Sequence, residues 1–62
     1  NMTRDANIAR YMGKIEDSMQ RLFWLKEFKA RHGAEGKPLE DLEQKYANDV
    51  IAYGTLVGHL AR

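Results

Sequence analysis

The 62-residue sequence contains no cysteine, which excludes disulfides and thiolate metal sites as sources of stability. It also lacks a long hydrophobic run. Its longest stretch without Asp, Glu, Lys or Arg is Val50–Ala61, only 12 residues long, whereas a transmembrane helix needs about 20 mostly apolar residues. We therefore expect no membrane association, and the missing cysteines fit a cytoplasmic location.

A chain of this size forms one small domain with a marginal hydrophobic core. Folding of such a domain buries only about 60% of the surface that the unfolded chain exposes. Small domains compensate with disulfides, metals or partner chains. With disulfides and thiolate metal sites excluded by the absence of cysteine, a partner chain becomes the favoured source of stability.

Proline is scarce, and its position divides the chain into two predicted helices. From Thr3 to His32 there is no proline, and the composition is rich in helix-forming residues. We predict a first helix over about 4–32, capped by Thr3 or Asp5, a turn over 33–37, and a second helix over about 38–60 that starts at Pro38. This is an all-α, two-helix antiparallel hairpin, one domain over 2–62, with Met2 taken as the natural start and Asn1 as a tag remnant.

Apolar residues recur at helical spacing and define one predicted seam on each helix. The first seam comprises Ile8, Tyr11, Met12, Ile15, Met19, Leu22 and Phe23, and the second comprises Leu39, Leu42, Tyr46, Val50, Tyr53, Val57 and Leu60. With a turn centred near Gly36, facing residues have numbers that sum to about 71 in an antiparallel hairpin. This register predicts Met12 opposite Leu60, Ile15 opposite Val57, Met19 opposite Tyr53 and Leu22 opposite Val50.

Further apolar residues exceed what one hairpin can cover. Trp24 points away from the first seam, and the second helix carries another stripe, mostly of small residues: Ala47, Ile51, Gly54, Gly58 and Ala61. We predict that this stripe is the interface of a homodimer, in which two hairpins form a four-helix bundle. Two alternatives remain. In one, a different protein covers these additional apolar residues. In the other, Trp24 is half exposed and the glycines are tolerated without a partner.

Basic and aromatic side chains cluster at the end of the first helix. Residues 1–37 carry eight Lys and Arg against five Asp and Glu, whereas residues 38–62 carry two against four. We predict a partner-binding surface formed by Arg21, Trp24, Phe28, Lys29 and Arg31. Its partner is another protein in our main interpretation. The alternative is RNA or single-stranded DNA, because basic groups bind phosphates and aromatic rings stack on unpaired bases.

No pattern in the sequence predicts catalysis, a cofactor or a metal. The segment Gly33–Pro38 has the wrong glycine spacing for a phosphate-binding loop and no strand before it. His32 and His59 lie on different helices, and neither has a glutamate three residues earlier, as a di-iron site requires. We expect a small regulator or adaptor that is not an enzyme and has no catalytic residues, cofactor, metal or small-molecule substrate.

Overall fold

The computed structural model describes residues 1–62, which form two helices and no strand. Helix α1 spans Met2–His32 and starts at Asn1, whose side-chain oxygen accepts a hydrogen bond from the backbone N–H of Arg4 at 2.9 Å. The predicted caps, Thr3 and Asp5, are therefore wrong. Asparagine is among the best N-cap residues, and with Asn1 in that role the helix begins two residues before the predicted start.

Two glycines with positive φ make the turn between the helices. Gly33 ends α1 in the left-handed region, with φ 58° and ψ 28°, and its N–H donates to the carbonyl of Lys29. Gly36, with φ 130° and ψ 165°, leads into helix α2, Lys37–Leu60, with Pro38 in its first turn. The all-α two-helix hairpin is confirmed, with α2 starting at Lys37, one residue before the prediction.

The two helices run antiparallel and form an elongated hairpin measuring 47 × 16 × 13 Å. Tyr11, near the start of α1, stacks on Tyr53, late in α2, with ring centroids 5.7 Å apart. Near the turn, the ammonium of Lys29 lies 2.6 Å from the carboxylate of Glu43. Since α1 has 31 residues and α2 has 24, the first turns of α1 extend beyond the end of α2.

The α1 seam differs from the predicted stripe. Met12, Met19 and Phe23 are 50%, 56% and 64% exposed, so they lie outside the interface between the helices. Ser18 and Leu25, at 5% and 1% exposure, lie inside it. The less exposed residues of α1 follow alternating spacings of three and four, typical of a seam between two helices: Ile8, Tyr11, Ile15, Ser18, Leu22 and Leu25.

This rotation of α1 also changes the predicted register. Tyr53 stacks on Tyr11, whereas the sequence placed it opposite Met19. The α2 seam agrees better with prediction, because all its members except Leu42 are at least half-buried. The predicted α1 stripe is correct for Ile8, Tyr11, Ile15 and Leu22 and wrong for Met12, Met19 and Phe23. A seam drawn only through apolar residues favoured methionines over the serine that occupies the interface.

The hairpin buries very little for its size. Leu25 and Ser18 are the only buried residues, and the chain exposes 4850 Å² of solvent-accessible surface. A typical folded monomer of 7.2 kDa exposes about 4,100 Å². The excess is therefore about 700 Å². Large apolar side chains, among them Phe23, Trp24 and Ile51, are part of the exposed surface.

Candidate interaction surfaces

One broad side of the hairpin is mostly apolar, apart from the exposed carboxylate of Glu16, and we call it the apolar face. Its members are Met12, Met19 and Phe23 from α1, and Ala47, Ile51, Gly54 and Gly58 from α2. Ile51 is 66% exposed, close to the value for Phe23. The two sets were predicted for different roles, a core and a dimer interface, and the fold brings them together on one surface.

Helical geometry explains why both sets share a side. Each residue advances about 100° around a helix, so the α1 members lie about 80–120° from the centre of their seam and the α2 members about 70–130° from theirs. Both sets are rotated in the same sense when each helix is viewed from its own N-terminus. Because the helices are antiparallel, equal rotations bring both sets to the same side of the hairpin.

A shallow groove on the same side supports this placement. It runs between the helices near the turn and is lined by Leu22, Lys26, Glu40, Glu43, Gln44 and Ala47. Lys26 from α1 and Glu40 from α2 therefore border the end of the apolar face that is nearest the turn. Ala47 is half-buried at the edge of this groove, and Ala61, the last predicted member of the stripe, follows the end of α2.

The glycines of the apolar face have free space around them. A Cβ atom added at Gly54 or Gly58 would meet no other atom within 4 Å. Glycine in a helix interior is less favourable than alanine by about 1 kcal/mol. No contact within the hairpin accounts for glycine at these two positions.

A second surface lies on α1 near the turn, where three rings follow one another at i, i+4 and i+8. Trp24 stacks on Phe28 with ring centroids 5.3 Å apart, and Phe28 lies 4.8 Å from the ring of His32 at an angle of 49°. We call these residues the aromatic ladder. Trp24 is 60% exposed, whereas Phe28 is half-buried.

The predicted basic residues have different positions relative to the aromatic ladder. Arg31 shares a groove with Trp24, Phe28 and His32. Arg21 borders a second groove with Trp24, and its guanidinium also lies 5.9 Å from the ring centroid of Tyr46. Three of the five predicted partner-binding residues thus share one groove, and a fourth adjoins it.

Lys29, the fifth predicted residue, lies in the interface between the helices. Its ammonium donates a hydrogen bond to Glu43, and both side chains are mostly buried, at 30% and 20% exposure. This hydrogen bond raises the pKa of the Lys29 ammonium, partial desolvation opposes the rise, and the negative charges of Glu43, Glu40 and Glu35 add to it. The charge of Lys29 is thus already compensated within the hairpin.

Between the aromatic ladder and the open end of the hairpin, the side opposite the apolar face is polar. Its groove is lined by Lys14, Asp17, Ser18, Arg21, Lys45, Tyr46, Asp49 and Tyr53. Lys45 and Asp49 form an exposed ion pair there at 3.7 Å. The hairpin therefore has two unlike sides, a charged one and an apolar one.

Other kinds of site find little support in the geometry. No three His, Asp or Glu side chains lie close enough together to hold a metal ion. Neither helix contains a stretch long and apolar enough to cross a membrane. The grooves between and beside the helices are shallow and open to solvent.

Sequence reasoning missed Met12, Met19 and Phe23 as surface residues. The signal that reveals them is the strict alternation of three- and four-residue spacings through Ile15, Ser18 and Leu22. This pattern requires a small polar residue within the seam.

Comparison with models of known protein families, with curated proteins and with solved structures finds no match to this chain.

Proposed function

We propose that this chain is a small protein–protein interaction module, a cytoplasmic regulator or adaptor without enzymatic activity that acts as a homodimer. Its two copies form a four-helix bundle. The observation that carries the proposal is the apolar face, on which Phe23 and Ile51 stay about two-thirds exposed while Leu25 alone is an almost fully buried apolar residue. Contiguous exposed apolar surface on this scale is typical of protein interfaces.

The surface area supports self-association. The excess exposure of about 700 Å² is close to the roughly 800 Å² that each partner buries in a standard protein interface. A dimer of that size would give each hairpin the core that a 62-residue chain without disulfides lacks.

The aromatic ladder supports binding to a further protein. Trp24 and the adjacent Arg31 are residue types enriched at the centres of protein interfaces. The ladder lies on the side of α1 away from the apolar face, so it stays accessible when that face is covered. We expect the dimer to present two such surfaces, each formed mainly by Trp24, Phe28 and Arg31.

Sedimentation equilibrium tests the proposal with Gly54→Leu, which adds a bulky side chain to the apolar face. We expect a wild-type dimer at micromolar concentration and a monomeric Gly54→Leu variant. Gly13→Leu is the matched control: Gly13 is also a helical glycine with free space around it, but it lies away from the apolar face. This control should remain dimeric, and a monomeric wild type would overturn the homodimer.

A second candidate function is binding of RNA or single-stranded DNA. The observation that favours it is the exposed indole of Trp24 with Arg21 and Arg31 bordering the grooves beside it. Trp24 is the only tryptophan, so its fluorescence reports binding directly. Quenching by single-stranded nucleic acid that weakens steeply with salt would favour this candidate over a protein partner, whereas unchanged fluorescence would exclude it.

A further inference from the structure

The apolar face carries its large and small side chains on different helices. Met12, Met19 and Phe23 project from α1, whereas α2 contributes Ala47, Gly54 and Gly58 around a single large residue, Ile51. A surface of this kind is complementary to a copy of itself only if the large residues of one helix meet the small residues of the other. This requirement restricts how two hairpins can pair.

Two symmetric arrangements bring the apolar faces together. If the two-fold axis runs along the helices, both turns lie at the same end and α1 of each copy packs on α2 of the other. If the axis runs across the helices, the turns lie at opposite ends and like helices pair, α1 with α1 and α2 with α2. Both arrangements are closed dimers with the same surface on each copy.

The levels of the residues along the hairpin distinguish the two arrangements. Tyr11 stacks on Tyr53, so the next residue of α1, Met12, lies about level with Gly54. Leu22 and Ala47 line the same groove, so Phe23 lies level with the residues just before Ala47. With both turns at one end, Met12 therefore faces the partner's Gly54, and Met19 and Phe23 lie on either side of the level of the partner's Ala47.

The opposite arrangement gives poorer contacts. Centring the axis on the large α1 residues would set Phe23 against the partner's Met12, large against large. On α2, the same axis would set Gly58 level with the partner's Glu40, a carboxylate. The small residues would then face polar groups instead of apolar side chains.

Charge supports the first arrangement independently. Lys26 and Glu40 border the apolar face at the same level near the turn. With both turns at one end, Lys26 of each copy lies beside the partner's Glu40, which gives two complementary contacts across the interface. With the turns at opposite ends, Lys26 and the partner's Glu40 would lie at opposite ends of the bundle, too far apart to interact.

We propose that a second copy covers the apolar face with both turns at the same end of the bundle, so that α1 of each copy packs on α2 of the other and Lys26 pairs with the partner's Glu40. This arrangement rests on the homodimer of the proposed function. It places the two aromatic ladders at the same end of the bundle, on its opposite outer sides.

A charge-reversal mixture tests the proposed contacts. Lys26→Glu and Glu40→Lys should each raise the dimer dissociation constant at least about tenfold, because each homodimer then contains two like-charge contacts. An equimolar mixture should recover tight association as heterodimers, in which both contacts are complementary. Lys45→Glu, the same charge change on the polar side, is the matched control and should leave association unchanged. Absence of recovery in the mixture would overturn the arrangement.

A distance measurement separates this arrangement from the homodimer itself. The protein has no cysteine, so Glu35→Cys in the turn accepts a single spin label per chain. The label-to-label distance should be comparable with the cross-section of the bundle, and not with the 47 Å length of the hairpin. A dimer with labels near 47 Å apart would overturn the arrangement but keep the homodimer, whereas a monomeric protein would overturn both.

Discussion

Leu25 is the one side chain that the hairpin removes almost completely from water. It lies in the last third of α1, within the seam and close to the cross-helix contact between Lys29 and Glu43. Because the other apolar residues of the seam are only half-buried, Leu25 contributes more hydrophobic stabilisation than any one of them.

Leu25→Ala should lower the free energy of unfolding by about 2–5 kcal/mol, the usual loss for a fully buried leucine. Leu56→Ala is the matched control, since Leu56 is 41% exposed and its truncation should change stability by less than about 1 kcal/mol. Urea denaturation followed by circular dichroism measures both variants. Equal losses for the two would contradict the central position of Leu25.

The glycines of the turn differ in how strictly their backbone requires glycine. Gly33 adopts the ordinary left-handed helical conformation, which other residues can reach, whereas Gly36 at φ 130° and ψ 165° occupies a region that is essentially restricted to glycine. Gly36→Ala should therefore destabilise the protein by about 1–3 kcal/mol, and Gly33→Asn should destabilise it less. Thermal unfolding of both variants checks the order, and a reversed order would contradict these backbone conformations.

At the scale of the helices, the ion pair between Lys29 and Glu43 connects the last turns of α1 to the second turn of α2. Both side chains are mostly buried, unlike those of the exposed pair Lys45 and Asp49. The Lys29 contact also joins the two helices, whereas Lys45 and Asp49 pair within α2, as exposed pairs that contribute little to stability commonly do.

Because the pKa of Lys29 is raised, the stability of the hairpin should fall as the pH becomes alkaline. The folded protein holds the Lys29 proton more tightly than the unfolded chain does. The stabilisation from this pair is therefore fully present below the unfolded pKa of about 10.4 and is lost as the pH rises through the folded pKa. Thermal melts from neutral to alkaline pH should show a smaller alkaline loss for Lys29→Gln than for wild type. Lys45→Gln, the control, should follow the wild-type curve.

The helices and their turn are predictable from the sequence because local chemistry determines them. The turn is marked by Gly33, Gly36 and Pro38, and long stretches of helix-forming residues make up the chain on either side of it. The rotation of α1 is harder to predict, since two overlapping apolar stripes compete for the seam. Packing against α2 selected the stripe through Ser18 and Leu25, and hydrophobicity alone favoured the one through Met12 and Met19.

The candidate surfaces are likewise partly predictable from local sequence and partly dependent on how the helices pack. The small residues of α2 and the exposed Trp24 are recognisable because they do not fit a two-helix core. The position of Lys29 within the interface depends on the register with Glu43, which comes from both helices together. The extension of the apolar face across both helices likewise depends on their relative rotation.

At the scale of the whole molecule, stability and association should be coupled. If each hairpin completes its core by pairing, the melting temperature of the wild type should rise by about 3–6 °C for each tenfold increase in protein concentration. The Gly54→Leu variant, which we expect to be monomeric, should melt at a temperature independent of concentration. Differential scanning calorimetry over a range of concentrations measures this, and a constant wild-type melting temperature would contradict the coupling.

The first turns of α1 extend past the end of α2, and residues 1–6 are all exposed. Their backbone hydrogen bonds are therefore protected only by the helix itself, without a neighbouring helix to exclude water. Amide hydrogens in these turns should exchange with deuterium far sooner than those around Leu25. The long helix is thus expected to open progressively from its N-terminus, so that a protease would trim the overhang before it cleaved the paired region.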